Sequence, residues 1–243
     1  MSGDVQSGET ALPIGEVICA DCMDEEVGLP SLPDGCVDAV ITDPPYGMQN
    51  NNDYARFTAG KRGHKGDHTR VYAPLHGDAE PFDPSPLLAF PRVVIWGFPY
   101  FAASVPVGTT LVWIKRLDPA FGSFLSDAEV AWMKGGKGVY CHRDTSLKDE
   151  RQRVHPTQKP VALMRWCMDR AGVPEGGLVI DPFAGSGSTL VACVQTGRRF
   201  IGYEISPEYC EIARKRIAEA LAQPRLDFDT SPTPPPTTKE LAL

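Results

Sequence analysis

A short polar turn follows a mostly apolar, β-branched segment at 37–42, and its residue types suit the recognition of an amine. It consists of Asp43, Pro44, Pro45 and Tyr46. The prolines fix φ and lack N–H donors, so the turn is rigid and offers free carbonyl oxygens. A carboxylate and a fixed carbonyl can accept both hydrogens of an –NH2 group, which aims the nitrogen lone pair at an electrophile. The Tyr46 ring gives a flat surface for an extruded nucleobase. The alternative is a Pro-Pro turn that merely ends a strand.

A second turn is rich in glycine and lies in the C-terminal third of the chain. Residues 181–189 read DPFAGSGST, after a short apolar segment at 178–180. Glycine lets the backbone approach a ligand, and free N–H groups at the start of the next helix can receive an anion. Glu204 ends the next predicted strand, where an acid typically holds the hydroxyls of a ribose. The turn therefore predicts a nucleotide-like cofactor, although an ordinary tight βα turn is the alternative. No lysine follows the glycines as in a phosphate loop, and GxGxxG is missing.

The elements that must position these turns alternate between strands and helices. Helices are predicted at 161–171, with Pro160 at the first position, at 189–195, and from Ser206-Pro207-Glu208 onward. Strands are predicted at 16–20, 37–42, 92–96, 109–114, 128–133, 178–180 and 200–203. This alternation indicates an α/β fold, a mostly parallel sheet with helices on both faces. In such sheets, ligands bind beyond the carboxyl ends of the strands, where both turns lie.

Length and composition fit one large domain. The chain has 243 residues, 42% of them hydrophobic, and a net charge of −7, which argues weakly against a general DNA-coating role. Residues 1–13 and 223–243 are predicted to be disordered because they are polar or rich in Pro and Thr. Seven cysteines without a secretion signal read as reduced thiols, and the pair Cys19 and Cys22 has no partners to complete a zinc site. We expect a cytoplasmic protein with no membrane span and no metal.

Taken together, the two turns resemble those of the S-adenosylmethionine-dependent amino-methyltransferases of DNA, in the permuted β-class arrangement. In that family a DPPY-type motif precedes a cofactor loop of FxGxG type, as residues 43–46 and 183–187 do here. The HPTQKP run at 155–160 resembles the segment beside the methionine end of the cofactor. The resemblance covers roughly residues 15–222 and implies a Rossmann-like sheet of seven strands in a domain at 14–222. The strand at 16–20 would then lie beside that at 200–203, with 178–180 and 37–42 as central neighbours.

The resemblance also implies site residues. Asp43, Pro44, Pro45 and Tyr46 would be catalytic, with Asp43 and the Pro44 carbonyl holding the target amine. The cofactor S-adenosyl-L-methionine would contact Asp21, Cys22, Thr157, Gln158, Lys159, Asp181, Phe183, Gly185, Ser186, Gly187, Ser188 and Glu204. An Asp at the first motif position favours N6 of adenine over N4 of cytosine.

Basic segments predict the contacts with DNA. Residues 56–70 hold five basic and one acidic side chain, and residues 134–159 hold seven and three. Such segments can pair with phosphates, or they can be ordinary solvated loops. The resemblance places a target-recognition insert at about 117–154 and Trp113 near the target base. The predicted DNA-binding residues are Lys61, Arg62, Lys65, Arg70, Trp113, Lys115, Arg143, Arg151 and Arg153.

The predicted function is therefore methylation of double-stranded DNA at the N6 amine of a flipped-out adenine. The alternatives are N4-cytosine methylation, methylation of RNA or of protein glutamine, and a non-catalytic module that binds DNA or cofactor. A separate restriction endonuclease is a possible partner, because no nuclease motif is present in this sequence. The enzyme would be a monomer or a homodimer in a bacterial cytoplasm or in that of a phage host.

Overall fold

The computed structural model describes residues 12–47, 80–122, 126–146 and 158–223. Three α-helices are described, α1 (Val161–Arg170), α2 (Ser188–Gln195) and α3 (Pro207–Ala222). The strands are β1 (Glu16–Ile18), β2 (Ala39–Thr42), β3 (Val93–Trp96), β4 (Thr109–Ile114), β5 (Ala128–Met133), β6 (Val139–Arg143), β7 (Leu178–Asp181) and β8 (Arg199–Tyr203). Each of the seven predicted strands is thus present, with ends within two residues of those predicted.

The strands form one sheet in the order β1-β8-β7-β2-β3-β5-β4-β6. The pairing is parallel from β1 through β3, antiparallel on both sides of β5, and parallel between β4 and β6. Val17 lies opposite Gly202, and Val40 lies opposite Ile180. The predicted neighbours, β1 with β8 and β2 with β7, are therefore confirmed, and a mostly parallel α/β sheet is confirmed with them.

The described sheet has eight strands rather than the predicted seven. The additional strand is β6, which pairs with β4 at one edge of the sheet. This strand reads VYCHR and is mostly exposed, so it lacks the apolar run that marks a buried strand. Both β5 and β6 fall within the predicted insert at 117–154. Much of that segment is therefore part of the central sheet and does not stand apart from it.

The two faces of the sheet are covered differently. Buried residues of α1, α2 and α3 pack in one cluster with alternate strand residues such as Ile41, Trp96 and Val179. The opposite residues of the same strands, such as Val40, Ile95 and Ile180, pack against loops and short 3₁₀ turns at Leu29–Ser31 and Ser85–Leu87. Within the described residues, α-helices therefore cover only one face, whereas we had expected helices on both.

Helix starts are specified by local residues. Ser206 is the N-cap of α3 and accepts a hydrogen bond from the Tyr209 N–H, with Pro207 at the first helical position, as predicted. Pro160 stands one position earlier than predicted, at the N-cap of α1, and its carbonyl accepts from the Met164 N–H. Both helices thus begin where a proline can stand without losing a helical hydrogen bond.

Candidate active site at the carboxyl ends of β2 and β7

One hydrogen bond joins the two predicted motifs. Thr42, the last residue of β2, donates its hydroxyl to Asp181 Oδ1 at the end of β7, with 2.7 Å between the oxygens. The same Oδ1 accepts from the Phe183 N–H at 3.2 Å, which fixes the start of the glycine-rich turn. Asp43 follows Thr42 directly. The turn at 43–46 and the glycine-rich turn therefore lie side by side, as the parallel pairing of β2 with β7 requires.

Asp43 belongs to a chain of charges that leads from partly exposed to buried groups and that the sequence did not suggest. Its Oδ2 lies 2.5 Å from the Nζ of Lys159, and the same Nζ lies 3.0 Å from Glu129 Oε2. Lys115 Nζ lies 2.8 Å from the other Glu129 oxygen. The Lys159 side chain is only 5% exposed and that of Asp43 only 15%. Two carboxylates and two ammonium groups thus alternate from Lys115 inward to Asp43.

The pKa values of these groups respond to burial and to each other. Burial raises the pKa of Asp43, while the Lys159 ammonium acts in the opposite direction. Burial alone would raise the pKa of Glu129, but Lys159 and Lys115 lower it to about 2. Burial would lower the pKa of Lys159, but the two carboxylates hold it above its ordinary value. Lys159 and Glu129 therefore stay charged at neutral pH, and the ionised form of Asp43 depends on its partners.

Tyr46 closes the other side of Asp43. Its hydroxyl donates to Asp43 Oδ1, and burial and the nearby carboxylate raise its pKa far above its ordinary value. Its ring stacks on Tyr100 with centroids 4.7 Å apart and planes 12° apart. At Gly97, with φ +82°, an added Cβ would lie 1.9 Å from the Tyr46 ring. Gly97 is therefore the residue that leaves room for this ring.

The glycine-rich turn is held from the side of α3. Gly187 has φ +79° and is the N-cap of α2, and an added Cβ would lie 2.9 Å from the Ala213 Cβ. Arg216 donates to the Ser186 carbonyl at 2.5 Å and lies 3.3 Å from the Ser188 hydroxyl. Glycine at 187 is thus explained by helix packing, whereas the sequence suggested ligand approach. Both serines, predicted to contact the cofactor, are nearly buried and turn toward Arg216.

Among the predicted nucleoside-binding residues, Glu204 contacts this turn directly, whereas Asp21 and Cys22 follow β1. Glu204 accepts from the Gly185 N–H and from the Ser206 N–H, each at 2.8 Å, and each carboxylate oxygen keeps a further lone pair. Asp21 is exposed and accepts from the Met23 N–H, whereas Cys22 is buried and burial raises its pKa to about 12. Glu204 and Asp21 thus retain acceptor capacity for a ligand, and Cys22 contributes an inert thiol to the core.

Two other residues that are predicted to contact the cofactor, Gln158 and Phe183, are also described. Gln158 is buried beside Lys159, and Phe183 packs edge-to-face on Phe82 with centroids 5.8 Å apart. Thr157 lies outside the described residues.

Of the nine residues predicted to contact DNA, three lie in the described ranges: Trp113, Lys115 and Arg143. Trp113 is only 5% exposed, because it points to the helix-covered face of β4, and its Nε1 donates to the Asp144 carbonyl. It therefore does not present its ring to DNA, which corrects our expectation. Lys115 pairs with Glu129, and the partly exposed Arg143 pairs with Asp118 at 2.7 Å. The other predicted contacts lie outside the described residues, namely Lys61, Arg62, Lys65, Arg70, Arg151 and Arg153.

Three residues in contact with the predicted site residues escaped the sequence analysis: Glu129, Tyr100 and Arg216. Glu129 stands in β5 between residues of ordinary strand type, and Tyr100 ends a short 3₁₀ turn after β3. Arg216 is one of several basic residues of α3. The only signal in the sequence is that Glu129 interrupts an otherwise apolar strand, which marks a polar group that needs a partner.

The family comparison agrees with this geometry. Residues 108–215 match the family model for DNA methylases, which is less than half of the chain but includes the glycine-rich turn and Glu204. This part of the chain is similar to the DNA methylases. The type II methyltransferase M2.DpnII of Streptococcus pneumoniae is 34% identical over 111 residues, which are 44% of this chain and 41% of that protein. The aligned part thus spans less than half the length of that relative.

Solved structures of DNA methylases share the fold. The complex of M1.HpyAVI with SAM has a TM-score of 0.52 at 23% identity, over 83% of this chain and 98% of that one. The cytosine-N4-specific PvuII DNA methyltransferase has a TM-score of 0.51 at 15% identity, over 84% and 90%. At these identities the likeness shows that the fold is that of the methyltransferases. The Rossmann-like fold that the motifs predicted is thereby confirmed.

No helix in the described ranges is long and apolar enough to cross a membrane. No group of three or more His, Cys, Asp or Glu side chains in those ranges is arranged to hold a metal ion.

Proposed function

We propose that this protein transfers a methyl group from S-adenosylmethionine to the N6 amine of adenine in double-stranded DNA. The observation that carries the proposal is the Thr42–Asp181 hydrogen bond, which puts the Asp43 carboxylate beside the glycine-rich turn. A carboxylate that can hold an amine and a turn that can hold a nucleoside thus share one edge of the sheet. The relatedness to DNA methylases supports DNA as the acceptor.

The residues around the turn fit the proposed cofactor. The start of α2 supplies backbone N–H groups, Glu204 supplies the remaining lone pairs of its two oxygens for ribose hydroxyls, and Asp21 supplies an acceptor near the end of β1. Gln158 and Lys159 would face the methionine end. When bound, S-adenosylmethionine supplies a methyl group that is already electrophilic. The protein's contribution is therefore alignment more than activation.

Asp43 would align the acceptor. Each of its oxygens already accepts one hydrogen bond, from Tyr46 or from Lys159, and each keeps a further lone pair for an amine hydrogen. With the Pro44 carbonyl, Asp43 would hold both amine hydrogens and leave the nitrogen lone pair free as the nucleophile. The product nitrogen then carries a positive charge and releases one proton to Asp43 or to water. A charged buried carboxylate stabilises that cation where it forms.

The target base requires a stacking surface beside Asp43. The Tyr46 ring, now against Tyr100, offers one, and Tyr100 is more than half exposed. An extruded base would stack on this aromatic pair, either at its open side or between the two rings after they separate. The proposed N6-adenine preference rests on the Asp at position 43, and the N4-specific PvuII neighbour keeps cytosine as the alternative outcome of the test.

The remaining predictions about partners and location stay proposals. They include contacts of the two basic segments with phosphates, a target-recognition insert at about 117–154, and disordered ends. They also include a separate restriction endonuclease as partner, and a monomer or homodimer in the cytoplasm of a bacterium or phage host. The most direct check of the DNA contacts is the salt dependence of binding. It should flatten when Lys61 and Arg62 are both changed to Ala.

The deciding experiment incubates the full chain with S-adenosylmethionine labelled in the methyl group and with duplex DNA, RNA or protein. We expect label in DNA only, and nucleoside mass spectrometry should identify it as N6-methyladenine. Label in N4-methylcytosine would show that the target base is cytosine and would leave the proposed amine methylation of DNA intact. Label only in RNA or in protein would reject DNA as the acceptor. Cofactor binding without transfer to any acceptor would favour a non-catalytic module.

A further inference from the structure

Glu129 is the one carboxylate besides Asp43 that touches Lys159 among the described residues, and no motif assigns it a role. It lies in β5 opposite Trp113 of β4, and its side chain is 35% exposed. Its two oxygens face different cations, Lys115 on one side and Lys159 on the other. A residue that contributed only to strand pairing would not need a contact with either lysine.

The Lys159 ammonium has little else to balance its charge. Its side chain is 5% exposed, and its Nζ lies 5.7 Å from the centroid of the Trp96 ring. A buried cation that loses its only carboxylate is strongly unfavourable. When Asp43 turns its lone pairs to an amine, its interaction with Lys159 weakens. A second carboxylate on the same nitrogen lets this happen without leaving the cation unpaired.

We propose that Glu129 is a positioning residue for Asp43: by sharing the Lys159 ammonium, it keeps the Asp43 carboxylate available to the target amine. This inference rests on the proposed amine methylation, because Asp43 is the group it serves. Glu129 itself does not touch the reacting atoms. Without its charge, Lys159 would pair with Asp43 alone and hold that carboxylate more tightly.

The charge state of Asp43 gives a readout that does not depend on transfer. Titratable groups from every element packed around Asp43 act on its charge, on that of Lys159 or on that of Glu129. They are Tyr46 in the turn, Asp181 at the end of β7, Lys159 before α1, Cys167 within α1, and Glu129 with Lys115 on the neighbouring strands. The charge of Glu129 raises the pKa of Asp43. Its removal should lower the pH at which Asp43 titrates.

The test uses the full chain labelled with ¹³C-aspartate and follows the Asp43 carboxyl signal by NMR, assigned by its loss in Asp43→Asn. In Glu129→Gln, which keeps the shape and removes the charge, the midpoint should fall by roughly one pH unit. In Lys115→Gln, which leaves the Glu129 charge less compensated, the midpoint should rise. This opposite shift keeps the inference testable should Glu129→Gln not fold. Glu129→Asp should restore most of the wild-type midpoint.

Transfer kinetics then show whether this positioning serves the reaction. In Glu129→Gln we expect kcat to fall about tenfold or more, with the Kd for DNA within about threefold of wild type. The acid limb of the pH–rate profile should move to lower pH together with the NMR midpoint. A merely structural role would move neither the midpoint nor this limb.

The matched control is Asp127→Asn, which removes a carboxylate just before β5 that pairs with Arg116 and does not touch Lys159. It should leave both the Asp43 midpoint and kcat unchanged. Unchanged midpoints in Glu129→Gln and Lys115→Gln would overturn the inference, and so would a shifted midpoint with full kcat. A wild-type protein that methylates no DNA would instead overturn the proposed function, and the midpoints would still decide whether Glu129 governs Asp43.

Discussion

Two aspartates end adjacent parallel strands of this protein, and the sheet places them in opposite roles. Asp43 after β2 and Asp181 at the end of β7 are both largely buried, and burial raises the pKa of each. Asp43 faces an ammonium and a phenol, whereas Asp181 faces the Thr42 hydroxyl and a backbone N–H. An aspartate at the end of a strand thus pairs with a charged group in the case of Asp43. In the case of Asp181 it joins the ends of β2 and β7 by a hydrogen bond.

The difference lies in what reaches each carboxylate along the chain. The partners of Asp181 come from its own turn and from the neighbouring strand, so local geometry supplies them. The partners of Asp43 come from its own turn, from the start of α1 and, through Lys159, from β5. A site that collects charged groups from distant segments carries a desolvation cost, and such costs are typical of functional sites. The comparison therefore favours the proposed role of Asp43 in holding the amine, with Asp181 as its structural support.

The largest effect should come from Asp43→Ala. Because Asp43 would act on the amine and on the charge that forms there, we expect transfer to fall by about 10³-fold or more. Single-turnover rates with saturating cofactor measure this. Cofactor affinity, from calorimetry, should stay within about threefold of wild type. If the variant kept most of the transfer rate, Asp43 would have no role in the reaction, and the proposed difference in role between Asp43 and Asp181 would be wrong.

Lys159→Met should give the next largest effect, this time on stability. It leaves Asp43 without its cation in a buried place, and breaking such a pair costs about 3–5 kcal/mol. Urea unfolding at pH 7 measures this loss. The double variant with Asp43→Asn should recover a large part of it, because no unpaired carboxylate remains. Equal losses in the single and double variants would show that Lys159 contributes packing rather than charge.

Asp181→Asn should act in the opposite direction. The pKa of Asp181 is raised to about 6 from an ordinary 3.8, first of all by burial. A carboxyl group with a raised folded-state pKa stabilises fully below its unfolded value, and this contribution is lost as pH rises through about 6. Asn keeps an oxygen acceptor for the Thr42 hydroxyl but carries no charge. We therefore expect a gain of about 1–3 kcal/mol at pH 8 and little change at pH 4.

Unfolding free energies of wild type and Asp181→Asn across pH 4–8 check this expectation. A loss of stability at pH 8 would mean that the ionised carboxylate is needed where it lies, and Asp181 would then resemble Asp43 more closely than the hydrogen bonds indicate.

Sequence reasoning reached the architecture because its signals are local or follow from topology. The apolar runs marked seven strands, and Ser206 with Pro207 marked the start of α3. The motif order resembled that of the permuted family, and this resemblance implied the pairing of β1 with β8 that the structure shows. β6 escaped because an exposed edge strand has no apolar run, and the one-sided placement of helices has no sequence signature.

The charged network could not be foreseen in the same way. Glu129 and Lys159 are far apart along the chain, and only the register of β5 between β3 and β4 brings them together. The motif predicted Lys159 as a cofactor residue, and the structure shows in addition that it touches Asp43. Trp113 illustrates the reverse case: the resemblance predicted a contact with DNA, but the alternation of β4 turns its ring into the core.

A pair of glycine substitutions gives the finest test of the two regions. In Gly97→Ala the new Cβ would lie 1.9 Å from the Tyr46 ring, and in Gly187→Ala it would lie 2.9 Å from the Ala213 Cβ. Both residues have positive φ, so each change costs about 1–2 kcal/mol of strain besides the displacement. We expect Gly97→Ala to lower the transfer rate and leave cofactor affinity alone. Gly187→Ala should instead weaken cofactor binding, because α2 and its N-terminal turn must shift.

Gly172→Ala separates these displacements from backbone strain. Gly172 also has positive φ, +65°, but an added Cβ meets nothing within 4 Å. It should therefore lose about 1 kcal/mol of stability with unchanged transfer and unchanged cofactor affinity. Cofactor titration and single-turnover rates on all three variants give the comparison. If Gly97→Ala and Gly187→Ala affected both measurements equally, the two strand ends would be one mechanical unit, and the division of labour between Asp43 and Asp181 would not hold.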